Sequence, residues 1–157
     1  MQASSLPDRF YHLSVALTGF NIVHLYGTGQ GETFFNTLRD ILGTKLVEEL
    51  TNTFQQLQNQ AKGNETLLDQ LVQKELISHP KWGPVCRNII KMWYTGNWYA
   101  LPASWQENYV SSSLDVTKVI SAEAYVEGLV WKAMGRHPKS AKQPGYGTWA
   151  LPPNFLK

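Results

Sequence analysis

The chain has 157 residues, 43% of them apolar and 17% charged, with a formal net charge of +2. That length and apolar content describe one domain with a hydrophobic core, and the near-neutral balance excludes a nucleic-acid binder that depends on many phosphate contacts. Cys86 is the only cysteine, which excludes an intrachain disulfide, a thiolate metal site, a CxxCH haem attachment and the ligand set of an iron–sulfur cluster.

No segment approaches the roughly 18–20 apolar residues of a membrane span. The opening MQASSLPDRFYHLSVALTGF lacks a basic n-region, and Asp8, Arg9, Tyr11 and His12 interrupt its apolar residues. It does not read as a signal peptide, so the expectation is either a cytoplasmic protein or one whose leader has been removed. Phe10, Leu13, Leu17 and Phe20 recur at helical spacing and predict a first helix over 7–19, with Pro7 accommodated in its opening turn. FNIVHLYGTGQG, broken by Gly27, Gly29 and Gly31, reads as a flexible connection. Its GxGxG run has no βαβ setting and is not a nucleotide loop.

Phe34, Leu38, Ile41 and Leu42 predict a second helix closed by Gly43, and Leu46, Val47, Leu50, Phe54 and Leu57 a third ending near Gly63. Asn64 is the expected N-cap of a fourth helix carrying Leu67, Leu68, Leu71, Val72 and Leu76. After the stiff turn SHPKWGP, Pro84 opens a fifth helix through Val85, Ile89, Met92 and Trp93, stopped by Gly96. NWYALPASW reads as irregular, and YVSSSLDVTKVI has room for a short strand. Ser121 caps a sixth helix with Tyr125, Leu129 and Ala133 on one stripe, ended by Gly135. The expected fold is mostly α: about six helices in one compact domain spanning 1–157, with a helical part at 7–96 and an aromatic-rich part at 97–157. Its tail, 137–157, is irregular and rich in proline and glycine.

Residues able to do chemistry are scattered. His12, His24, His79 and His137 share no ligand spacing with one another or with a carboxylate, Glu48 and Glu49 lie on a solvated helix face, and Ser111 to Ser113 lack the GxSxG context of a nucleophile. Cys86 reads as a small buried apolar residue, and the Asn64-Glu65-Thr66 sequon as chance. No catalytic, cofactor-binding or metal-binding set emerges.

The aromatic array is what remains. All six tryptophans lie between Trp82 and Trp149, and four of the eight prolines between Pro138 and Pro153. Trp93, Tyr94, Trp98, Tyr99 and Trp105 cluster around the end of the fifth helix. Tyr125 and Trp131 lie on the sixth, and Pro144, Tyr146, Trp149 and Pro152 on the tail. Such residues fill cores and also dominate protein–protein contacts. Trp93 and Leu129, on helical stripes, are expected to face inward. Trp98, Tyr146 and Trp149, in irregular sequence, are expected outward as partner anchors. Gln143-Pro144-Gly145-Tyr146 fits a type II turn and Pro152-Pro153 an extended segment, which suits a strap laid across a partner. Lys132, Arg136, Lys139 and Lys142 make this end locally basic.

The pattern HP…IIxxWYTG, then AYxxGLVWxAxxxxP and a closing GYGxWxxPP, resembles the small (gamma) subunits of bacterial membrane-bound, FAD-dependent sugar and polyol dehydrogenases. Those include the fructose, sorbitol, glucose and 2-ketogluconate-type enzymes. FYHLSVALTGF resembles the start of the mature small subunit, and the likeness is most specific at Trp93-Tyr94-Thr95-Gly96 and Tyr146 to Pro153. The resemblance implies a non-catalytic subunit without a redox centre, needed for a flavoprotein large subunit to mature and be exported. FAD, with room for an iron–sulfur cluster, is then expected in that partner, and haem c in a multihaem cytochrome subunit. The assembly would be periplasmic and would touch the inner membrane only through the cytochrome. In the family a twin-arginine leader directs export, and the opening residues here do not read as one, so the resemblance implies a trimmed leader. The alternative is a free-standing helical module that binds a sugar or small ligand on the same aromatics. An autonomous enzyme finds no residues to support it.

Overall fold

Residues 4–135 are described by the computed structural model. The protein is mostly α-helical, and its first helix, α1 (Leu6–Thr18), begins in a reciprocal cap. The Ser5 hydroxyl accepts from the Asp8 N–H, and the Asp8 carboxylate accepts from the Ser5 N–H and hydroxyl. The Ser5 hydroxyl, then its N–H, hold the Asp8 carboxyl below its ordinary range. Phe10 and Leu13 bury the inner face of α1, and the Ser14 hydroxyl, fully buried, donates to the Phe10 carbonyl at 2.8 Å.

The glycine-broken stretch is not wholly a connection. Asn21 accepts from the His24 N–H at 2.9 Å and caps a short helix, α2 (Ile22–Gly27), which buries only Leu25. Helices α3 (Gly31–Leu42) and α4 (Thr44–Ala61) follow with Gly43 alone between them. Phe34, Leu38 and Ile41 on the first meet a core to which the second adds Val47, Leu50 and Phe54. Asn64 caps α5 (Glu65–Val72) as expected, and the helix continues into a π-helical turn at Gln73–Ile77 that buries Leu76.

Helix α6 (Trp82–Thr95) starts two residues before Pro84. The first four N–H groups of a helix have no intrahelical acceptor, so a proline at its third position costs no bond. α6 is the central element: it packs on α1, α3, the π-turn, the short strand that follows it and the last two described helices. Val85, Cys86, Ile89, Met92 and Trp93 are all buried along it. Burial raises the Cys86 thiol to about 12, so below that pH the group stays protonated. A disulfide reagent is accordingly expected to leave native Cys86 unmodified and to label it fully once the chain is unfolded. Rapid native labelling would contradict this.

The remaining described chain is β1 (Asn97–Trp98), α7 (Ala103–Asn108), β2 (Lys118–Val119), α8 (Ala122–Val126) and α9 (Leu129–Ala133). Two expectations are corrected here. NWYALPASW is not irregular throughout, because α7 forms after Pro102. The predicted sixth helix is two short ones, parted at Glu127 and Gly128. The split follows from packing, since the Gly128 Cα lies so close to the Tyr94 carbonyl that an added Cβ would be 2.6 Å from its oxygen. At the facing position Gly96, in left-handed conformation (φ 73°), carries α6 under the backbone of Ala124.

Candidate functional site

The segment after α6 folds around one buried carboxylate. β1 and β2 pair antiparallel, Trp98 opposite Lys118 and Asn97 opposite Val119, and the Ile120 N–H extends the ladder to the Gly96 carbonyl at 2.9 Å. Side chains alternate across such a ribbon, so Trp98 goes inward while Val119 on the other face stays 63% exposed. The Trp98 indole N–H donates to Asp115 Oδ1 at 2.8 Å. The same carboxylate accepts from the Leu101 N–H at 3.1 Å and from Gln106 Nε2 at 2.8 Å. Asp115 is buried with these neutral donors around it, satisfying its oxygens without a cation.

Two further bonds tie this loop to the helices, and a third ties α6 to α1. Asn88 Nδ2 donates to the Tyr99 carbonyl at 2.6 Å, the Trp105 indole N–H to the Lys81 carbonyl at 2.7 Å, and the Tyr94 hydroxyl to the Thr18 carbonyl at 2.7 Å. The Lys81 ammonium bridges to Glu49 at 2.7 Å and lies 4.6 Å from the Trp82 ring centroid.

These contacts sort the aromatic candidates. Trp93 is buried as expected, edge-on to Phe34 at 4.9 Å, and Leu129 is buried as well. Trp98 is corrected: it is fully buried rather than outward, because Asp115 offers its indole N–H an acceptor in the interior. Trp105 is also core, and Tyr94 is half-buried with its hydroxyl committed. With their faces covered, Trp93, Trp98 and Trp105 cannot serve as open stacking platforms. Tyr99 and Tyr125 are exposed, the first under the Lys91 ammonium at 4.7 Å and the second edge-on to half-buried Trp131 at 5.5 Å. The Trp131 indole N–H donates to the Tyr125 carbonyl at 3.0 Å. Pro144, Tyr146, Trp149 and Pro152 lie outside the described residues.

Residue-type reasoning missed several exposed apolar side chains. Tyr109, Leu114, Val116, Val119 and Met134 all remain outward. Together with Tyr99 and Tyr125 they make up seven of the ten large hydrophobics exposed among the described residues, all within 99–134. The signal available was Leu114, Val116 and Val119 in a segment too short and polar to bury them. Among the described residues no group of three or more His, Cys, Asp or Glu could hold a metal ion, and no helix is long and apolar enough to cross a membrane. The chemistry this surface offers is apolar and aromatic contact on a frame pinned from within. Comparison with protein-family models, with curated proteins and with solved structures finds no match.

Proposed function

We propose that the chain is a non-catalytic small subunit that binds and stabilises the flavoprotein subunit of an FAD-dependent sugar or polyol dehydrogenase. On this reading it assists the partner's maturation and export to the periplasm. FAD belongs to the partner and haem c to a third, cytochrome subunit, through which alone the assembly meets the membrane. The observation that carries the proposal is the concentration of exposed large hydrophobics between Tyr99 and Met134, on a loop frame anchored by buried Trp98, Trp105 and Asp115. Apolar groups held rigidly outward lose little entropy when covered, which suits them to a stable interface. The resemblance of WYTG at 93–96 and of GYGTWALPP at 145–153 to the dehydrogenase small subunits supports the class of partner.

The test is to co-express the tagged chain with the genes flanking its own and to isolate it. A flavin-coloured complex with a larger chain, reducing a dye in the presence of a sugar or polyol, is the expected result. Tyr99→Ala with Tyr125→Ala should then weaken the complex by about 2–4 kcal/mol, as hot-spot truncations do, while helix content stays unchanged. A colourless monomer recovered alone would overturn the proposal.

A further inference from the structure

Tyr11 on α1 and Tyr26 on α2 have ring centroids 4.3 Å apart with planes tilted by 38°, a shorter separation than in any other ring pair among the described residues. Tyr11 is half-buried and boxed in. Trp93 lies 6.1 Å away on one side, and the α3 N-terminus presents Gly31, where an added Cβ would fall 1.8 Å from the phenol oxygen. Tyr26 is 51% exposed. One ring is therefore held still and the other is open to a soluble reagent, with the two in contact.

We infer that Tyr11 and Tyr26 form an oxidative coupling site, at which a one-electron oxidant joins the two rings as dityrosine. The balance is two phenols and two equivalents of oxidant to one biphenol, two protons and two reduced equivalents. The first electron leaves Tyr26, whose proton passes to water. Burial, then the neighbouring Tyr26 and Glu32, raise the Tyr11 hydroxyl above its ordinary value, so Tyr11 keeps its proton more firmly and is oxidised second. The two phenoxyl radicals combine through ring carbons beside the oxygens. The displaced ring hydrogens return to the oxygens as aromaticity is restored. The product is a carbon–carbon staple from α1 to α2, closing a short loop, and its consequence is resistance to unfolding under oxidising conditions.

The experiment treats the whole chain, dilute, with a photolysed ruthenium polypyridyl and persulfate, which removes single electrons from tyrosine. The expected product runs as a monomer, gains dityrosine fluorescence and has a raised unfolding midpoint. After denaturation, chymotryptic cleavage at Phe20 leaves the peptides bearing Tyr11 and Tyr26 linked, two hydrogens lighter than their sum. Tyr26→Phe, which keeps the exposed ring, and Tyr11→Phe should each reduce the link to the background of an unoxidised sample, while Tyr125→Phe leaves its yield unchanged. A link that persists in Tyr26→Phe overturns the assignment, as does monomer in which other tyrosines are oxidised but this pair is not joined.

Discussion

Trp98→Ala is expected to lower folding stability by about 3–5 kcal/mol, the usual cost of truncating a fully buried large aromatic. The argument rests on two losses at one position. Trp98 has no exposed surface, so truncation opens a cavity beneath the ribbon of β1 and β2. It also removes the 2.8 Å donor to Asp115, a carboxylate with no cation to fall back on. Trp98→Phe shifts the balance between the two, because it keeps most of the apolar contact and deletes the bond, at a cost of about 1–3 kcal/mol. Urea unfolding of the isolated chain measures both. A side chain that served only as an outward partner anchor would leave the midpoint in place, so an unchanged midpoint for Trp98→Ala would refute the interior role. A double-mutant cycle with Asp115→Asn should show coupling, as contacting residues do.

Gly96→Ala is expected to cost about 2–5 kcal/mol, combining overpacking of about 1–3 kcal/mol with a left-handed backbone penalty of about 1–2 kcal/mol. The added Cβ would sit 2.6 Å from the Ala124 carbonyl carbon and 2.7 Å from the Tyr125 nitrogen. All of these are backbone atoms, so no side-chain rotation relieves the clash. Gly128→Ala meets the Tyr94 carbonyl oxygen at the same 2.6 Å, but its φ of −54° is ordinary for any residue. It should therefore cost less, by about the 1–2 kcal/mol of the left-handed penalty. Amide hydrogen exchange gives the location: faster across 122–133 in both variants, with the interior of α4 unaffected. Uniformly faster exchange would mean that this corner is not a separate unit.

The long helices were legible because their apolar residues keep a period long enough to count. Phe34, Leu38 and Ile41, or Val47, Leu50, Phe54 and Leu57, lie on single faces and are buried on them. The capping residues Asn64 and Ser121 were legible too, since a side-chain acceptor followed by a free N–H is a local arrangement. α2 and α7 were not. Each has six residues, under two turns, and each is bordered by residues that usually signal loops, Gly27 and Gly29 in one case and Pro102 in the other. The inward turn of Trp98 was hidden for a different reason. Its acceptor lies seventeen residues further on, and nothing local to NWYALP says that Asp115 will arrive there. Within the candidate surface, Tyr99 and Tyr125 were named from their type. Val116 and Val119 were passed over because two isolated valines carry no period.

Most bonds that tie the 97–120 loop and its neighbours to the helices end on main-chain carbonyls: Thr18 receives Tyr94, Lys81 receives Trp105, Tyr99 receives Asn88 and Tyr125 receives Trp131. A carbonyl is present whatever side chain its residue carries. At the exposed acceptor positions Tyr99 and Tyr125 the outward side chain is consequently free to drift over evolutionary time without loosening the frame. Only the donors are held, together with Asp115, whose carboxylate takes side-chain donors from both Trp98 and Gln106. The frame can persist while the surface it presents is rewritten.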